Sequence, residues 1–243
     1  MIPIKYSRSM KNALQLIFSL IRYNLKIIFA NKFLYFLIAA IMIFLFITVI
    51  NLFDTNSNPN EATGYWLLLV PGILLIFYPI TFGIQNDIDS RMIEILFGIP
   101  NYRYKVWLIR LLLIFMVTFT IISLLATVYS LVLNEVPVLM MAFQLMFPIL
   151  FIGSLAFMFS TLIRSGNGTA VVMVIIGMLF WISRGQIGNT EWNVFLNPFA
   201  VPTDVNEAIW AETTFNNRIY LLVGTIIAVL YGLLNLQKRE KFV

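Results

Sequence analysis

The segment QNDIDSRMIEILFGIPNYRYKVWLIR, residues 85–110, is a charged interruption between two long apolar runs. On either side, uncharged stretches reach the roughly 20 residues needed to cross a bilayer core as helix, so this segment is where the chain presents polar surface to water. Over all 243 residues, 60% are hydrophobic and 11% charged, against roughly 25% charged for an average soluble domain. That deficit leaves too little polar surface to face water and predicts an integral membrane protein. The long unbroken runs favour helices over a barrel, whose strands cross in about 10 alternating residues.

Composition also narrows the chemistry. The chain has no Cys and no His, which removes disulfides, thiolate metal sites and the commonest general base. A membrane-embedded lipid-modifying enzyme is disfavoured on that ground, and by the lack of clustered acids facing one another near a membrane boundary. The net charge of +5 fits the basic bias of cytoplasmic ends of membrane proteins, so nucleic acid is not an expected partner.

Working outward from the segment, six spans are expected, at about 33–52, 65–83, 107–133, 138–163, 169–183 and 219–236. Pro71 and Pro79 should kink or loosen the second span, which neighbouring helices tolerate if they satisfy the freed carbonyls. Before the first span, Lys11, Gln15, Ser19, Arg22 and Lys26 form a polar stripe at helical spacing. Residues 1–32 are therefore read as a tail and an amphipathic helix lying in the membrane interface. They lack a compact apolar core with a cleavage site, so the N-terminus is expected to be retained. Residues 184–217 are read either as short interfacial helices, held by their Trp residues, or as a re-entrant hairpin.

An even number of spans puts both ends on one side. With the N-terminus inside, fourteen of sixteen Lys and Arg residues fall on the cytoplasmic side, and only Arg184 and Arg218 fall outside. The positive-inside rule then gives cytoplasmic termini and a cytoplasmic segment 85–110. Within that segment Asn86 or Asp87 is expected to cap a short amphipathic helix that stops near Gly98 and Pro100. Tyr102 to Lys105 form an interfacial belt where the next span enters. The overall expectation is an all-α polytopic membrane protein, with six transmembrane helices, an N-terminal interfacial helix and a cytoplasmic helix between spans two and three.

The segment resembles the permease subunits of ABC-2 type ATP-binding-cassette transporters. These commonly carry the pattern acid-x-acid-x-Gly-Thr-Leu-Glu-Leu-Leu-x-x-x-Pro-x-x-Arg, with a basic residue seven positions later. Asp87 and Asp89 stand at the acidic positions and Glu94 at the central Glu, followed by Ile95, Leu96, Pro100, Arg103 and the later basic residue Arg110. Arg91 stands where Gly is usual and Met92 where Thr is usual. The resemblance extends to the basic amphipathic N-terminus, the six spans and the long outer section before the last one.

This resemblance implies one membrane half of an exporter, paired with a second copy of itself or a related permease, with two ATPase subunits docked below. Residues 85–100 would be the coupling helix. Asp87, Asp89, Arg91 and Glu94 would supply its charges and Met92, Ile93 and Phe97 its apolar centre, with Pro100 and Arg103 among the coupling residues. The chain itself lacks a GxxxxGK run followed by Ser or Thr, so ATP and Mg are expected on the partner and no cofactor on this chain. No Asp, Glu, Lys or Arg falls at mid-depth in the predicted spans, which argues against ion coupling and for a lipid-like, amphipathic or hydrophobic cargo. Gln144, Ser154 and Thr127 are candidates for the transport path or a dimer interface, Gln144 foremost because a buried amide needs a partner. A membrane scaffold without a transport path is the alternative reading.

Overall fold

The computed structural model describes residues 33–54, 58–89 and 102–236, with side chains from 106 onward in the last stretch. The interfacial helix expected within 1–32, the body of the coupling segment at 90–101 and the basic C-terminus lie outside these residues. Among the described residues every regular element is α-helix: α1 (Phe33–Phe53), α2 (Glu61–Thr81), α3 (Gly83–Asp89), α4 (Tyr102–Val132), α5 (Val138–Ile163), α6 (Gly166–Ile187) and α7 (Glu207–Leu236). With α3 continuing α2, these make six transmembrane helices. The chain is an all-α polytopic membrane protein.

The boundaries follow from local chemistry. α2 begins at Glu61, four residues before the expected start, because the Asn60 side chain accepts a hydrogen bond from the Thr63 amide at 2.9 Å. It runs without a break through Pro71 and Pro79; the interruption comes at Phe82, and α3 then carries the chain to Asp89. Asn86 and Asp87 consequently lie inside a helix and cap none, the Asn86 amide donating to the Phe82 carbonyl at 2.9 Å. α5 occupies the expected residues and ends on Arg164, which takes a left-handed φ of 60°. Ser165 then caps α6, its hydroxyl accepting from the Gly168 amide at 3.3 Å. The expected loop at 164–168 thus shrinks to two residues, and α6 is a full 22-residue span.

The section 184–217 differs most from expectation. Arg184 to Ile187 complete α6, residues 188–206 form consecutive turns, and residues from Glu207 already belong to α7, twelve positions before the expected start of the last span. Asn193 and Asn197 build the turns by accepting from the amides two residues on, at 3.0 and 3.1 Å. Asn206 does the same for Ala208 at 3.0 Å, and Glu207 suits the positive start of the helix. At 30 residues, α7 is about 45 Å long by its rise. It therefore outreaches the roughly 30 Å core and its polar first turns stand beyond it.

The core lies along α2 and α5. In α2, 67% of the apolar window is buried, against 6% in α6, so α6 sits at the rim and α2 at the centre. Leu68, Ile76 and Ile80 of α2 share one buried cluster with Leu145, Ile149 and Phe157 of α5 and with Ile122 of α4. α1 packs on α2 through Phe33, Ala40, Leu75 and Tyr78, and α5 with α7 forms the most extensive helix pair. Between lipid-surrounded helices such contacts stabilise through close packing rather than through removal of apolar surface from water. Small residues accordingly mark the closest approaches: a Cβ at Gly72 would collide with Ile149, and one at Gly232 would stand 2.7 Å from the Phe157 ring.

Candidate functional site

One end of the bundle carries the connections at 90–101 and 164–165, and polar side chains there tie the base of the first to three different helices. Arg110 Nη1 of α4 donates to Asp87 Oδ2 of α3 at 2.8 Å, in an ion pair whose side chains are 4% and 5% exposed. The guanidinium also lies 4.5 Å over the Trp107 ring, one turn earlier on α4. Gln85 Oε1 accepts from the Gly166 amide at the start of α6. Ser160 Oγ of α5 donates to the Thr81 carbonyl, at the break between α2 and α3, at 3.1 Å. Asn235 Nδ2 of α7 donates to the Thr161 carbonyl at 2.6 Å and closes the same end.

This arrangement distributes the expected coupling residues. Asp87 faces inward on Arg110 and is 3% exposed, so its charge is spent within the chain. Asp89, at the end of α3, is exposed, and Gln85 Nε2 donates to it at 3.4 Å. Arg91, Met92, Ile93, Glu94, Phe97 and Pro100 lie outside the described residues, as does the side chain of Arg103, whose backbone is in the first turn of α4.

At the opposite end, Gln144 has a partner that sequence reasoning missed. Arg218, in α7 rather than in a loop, donates from Nε to Gln144 Oε1 at 2.8 Å, from Nη1 to Asn217 Oδ1 at 2.7 Å and from Nη2 to the Leu196 carbonyl at 3.2 Å. Asn217 Nδ2 reaches the carbonyls of Glu191 and Asn193 at 2.8 and 2.9 Å, so the turns of 188–206 are pinned onto α7. Asn197 Nδ2 fastens them to the Ala62 carbonyl of α2 at 2.9 Å, and Trp210 Nε1 to Pro198 at 3.0 Å. Beside this network a groove of about 580 Å³ runs between α5 and α7, walled by Phe143, Phe147, Trp210, Phe215 and Leu222, with Arg218 and Gln144 in its lining. A smaller cavity of about 270 Å³ lies behind the turns. Arg184 borders it, stacked 3.9 Å over Trp66.

The three expected path residues do not converge. Gln144 lines the groove. Ser154 is fully buried in α5, ten residues further along the helix, and its hydroxyl has no hydrogen-bond partner. Thr127 is exposed on α4 and donates to the Ser123 carbonyl of its own helix at 2.8 Å, a common fate for hydroxyls in spans. The signal for Arg110 and Arg218 was their position: each is a guanidinium at the margin of an apolar run, where burial demands an acceptor. Their partners lie 23 and 74 residues away, beyond any local pattern.

Fold and site together define a multi-pass helical membrane protein, with a polar clamp at one end and an apolar groove around a buried cation at the other. No family model matches the sequence, and comparison with curated proteins and with solved structures found none that matches significantly.

Proposed function

We propose that the chain is the permease subunit of an ABC-2 type transporter, an exporter of lipid-like, amphipathic or hydrophobic cargo driven by two separate ATPase subunits. In this reading the termini and the segment 85–110 are cytoplasmic, the membrane is the cell's inner membrane, and a second copy or a related permease completes the path. The observation that carries it is the clamp. The segment at 90–101 follows directly on α3, and α2 and α3 are fastened to α4 by Asp87–Arg110, to α5 by Ser160 and to α6 by Gln85. A push on that segment is therefore passed to several spans at once. Reversing a two-state equilibrium from 1:99 to 99:1 needs about 5.5 kcal/mol of differential contact, within reach of one docked helix.

The buried position of Asp87 divides the work of the segment. Asp89, Arg91, Glu94 and Phe97 make the contact with the ATPase, while Asp87 transmits force inside the membrane half. Affinity purification of the chain from its native membranes is expected to bring with it a subunit bearing a GxxxxGK motif. The variant Glu94→Lys/Phe97→Asp, which leaves the clamp untouched, should lose that subunit. Equal recovery with this variant would rule out the docking segment and with it the permease reading.

A further inference from the structure

We propose that the groove between α5 and the outer part of α7 binds a single-chain anionic amphiphile, with its acid head on Arg218 and its chain along the aromatic wall. Arg218 is 5% exposed, and its partners Gln144 Oε1, Asn217 Oδ1 and the Leu196 carbonyl are all neutral. Among the described residues no carboxylate pairs with it. A buried cation answered only by dipoles is costly, and a counter-charge lowers that cost.

The geometry of the guanidinium favours an oxyanion as that charge. Of its five N–H donors three are committed in these bonds, and the guanidinium also meets the Tyr65 hydroxyl; donors on the terminal nitrogens of an arginine are those that carboxylate and phosphate oxygens accept. One further hydroxyl lacks a partner here: the Thr214 Oγ1, in the lining of the groove, is buried without a hydrogen bond.

The rest of the groove suits a chain. Phe143 and Phe147 meet edge to face at 5.2 Å, and the guanidinium lies 5.4 Å over Phe147. Phe143, Phe215 and Leu222 are exposed on the outside of the bundle, so the groove opens towards lipid. Its volume of about 580 Å³ falls within the roughly 300–1,000 Å³ of small-molecule sites. Glu207 also lines it, and it repels an acid group. It stands eleven residues before Arg218 on α7, about 16 Å by the helical rise, so it drives the head towards the Arg218 end.

The test is binding to the full chain in phosphatidylcholine nanodiscs, with radiolabelled palmitate, palmityl alcohol and palmitoylcholine as probes at about pH 8, where a carboxylate is ionised. Saturable palmitate binding is expected, with the alcohol and the choline ester weaker by about tenfold or more, one factor of ten per 1.4 kcal/mol. Arg218→Gln should lose a similar factor, and Arg218→Lys, which keeps the charge but not the fork, should fall between. Ala211→Trp fills the groove without touching the Arg218 bonds and should abolish binding at unchanged thermal stability, which decides the matter even if Arg218→Gln does not fold. Equal binding of palmityl alcohol, or palmitate binding unchanged in Ala211→Trp, overturns the proposal. No ATPase takes part, so the result stands apart from the permease reading.

Discussion

Arg110 is 3% exposed against the carboxylate of Asp87, whereas Arg218, 5% exposed, is held by an amide, a neighbouring Asn and a carbonyl. The first pair can be removed together, because neither charge is then left behind. Asp87→Asn deletes only the counter-charge and should cost about 3–5 kcal/mol of stability, read as a lowered thermal midpoint in detergent. Asp87→Leu/Arg110→Met should restore the midpoint to the parental value or above it, since apolar replacement of a buried pair is often neutral or favourable. In the transporter reading, that double variant keeps its ATPase partner but loses cargo-stimulated hydrolysis. A double variant as unstable as Asp87→Asn would mean that the pair contributes by shape rather than by charge.

The helices of the core were legible because the membrane imposes a simple rule, a long apolar run, and the expected 138–163 span is α5 to the residue. The start of α7 was not, since Glu207, Glu212, Asn216 and Asn217 break the hydropathy signal while the helix itself continues. Hydropathy reports where lipid is, and a helix that projects past lipid is invisible to it. The Asp87–Arg110 and Gln144–Arg218 contacts were hidden for a different reason, being fixed by how helices far apart in the chain pack. Packing between elements also decides the sign of a glycine substitution. In a free helix Gly→Ala gains about 1 kcal/mol, but at Gly232 the new methyl meets the fully buried Phe157 ring at 2.7 Å. Gly232→Ala should therefore lower stability by about 1–3 kcal/mol, the usual cost of overpacking. Gly177, with nothing within 4 Å of its missing Cβ, is the matched control, where Ala should be neutral or stabilising.

Across the whole molecule the connections alternate between two ends, with 54–60, 133–137 and 188–206 at one and 90–101 and 164–165 at the other. The absence of Cys from the chain makes the proposed orientation directly measurable. Glu135→Cys should react with a membrane-impermeant maleimide in intact cells, and Asn167→Cys only after permeabilisation; the reverse pattern would invert the orientation. The pairing of α5 with α7 across the intervening α6 also bears on how the protein is made. When α5 enters the bilayer, its chief partner has not yet been synthesised, and the residue that answers Gln144 lies 74 positions downstream. Until α7 arrives, the Gln144 amide and the groove face beside it stand open to lipid, since no residue of α6 lines that groove. A chain stalled or cut before residue 207 would thus hold five spans in place around an exposed polar seam, the kind of surface by which membrane quality control tells an unfinished protein from a finished one.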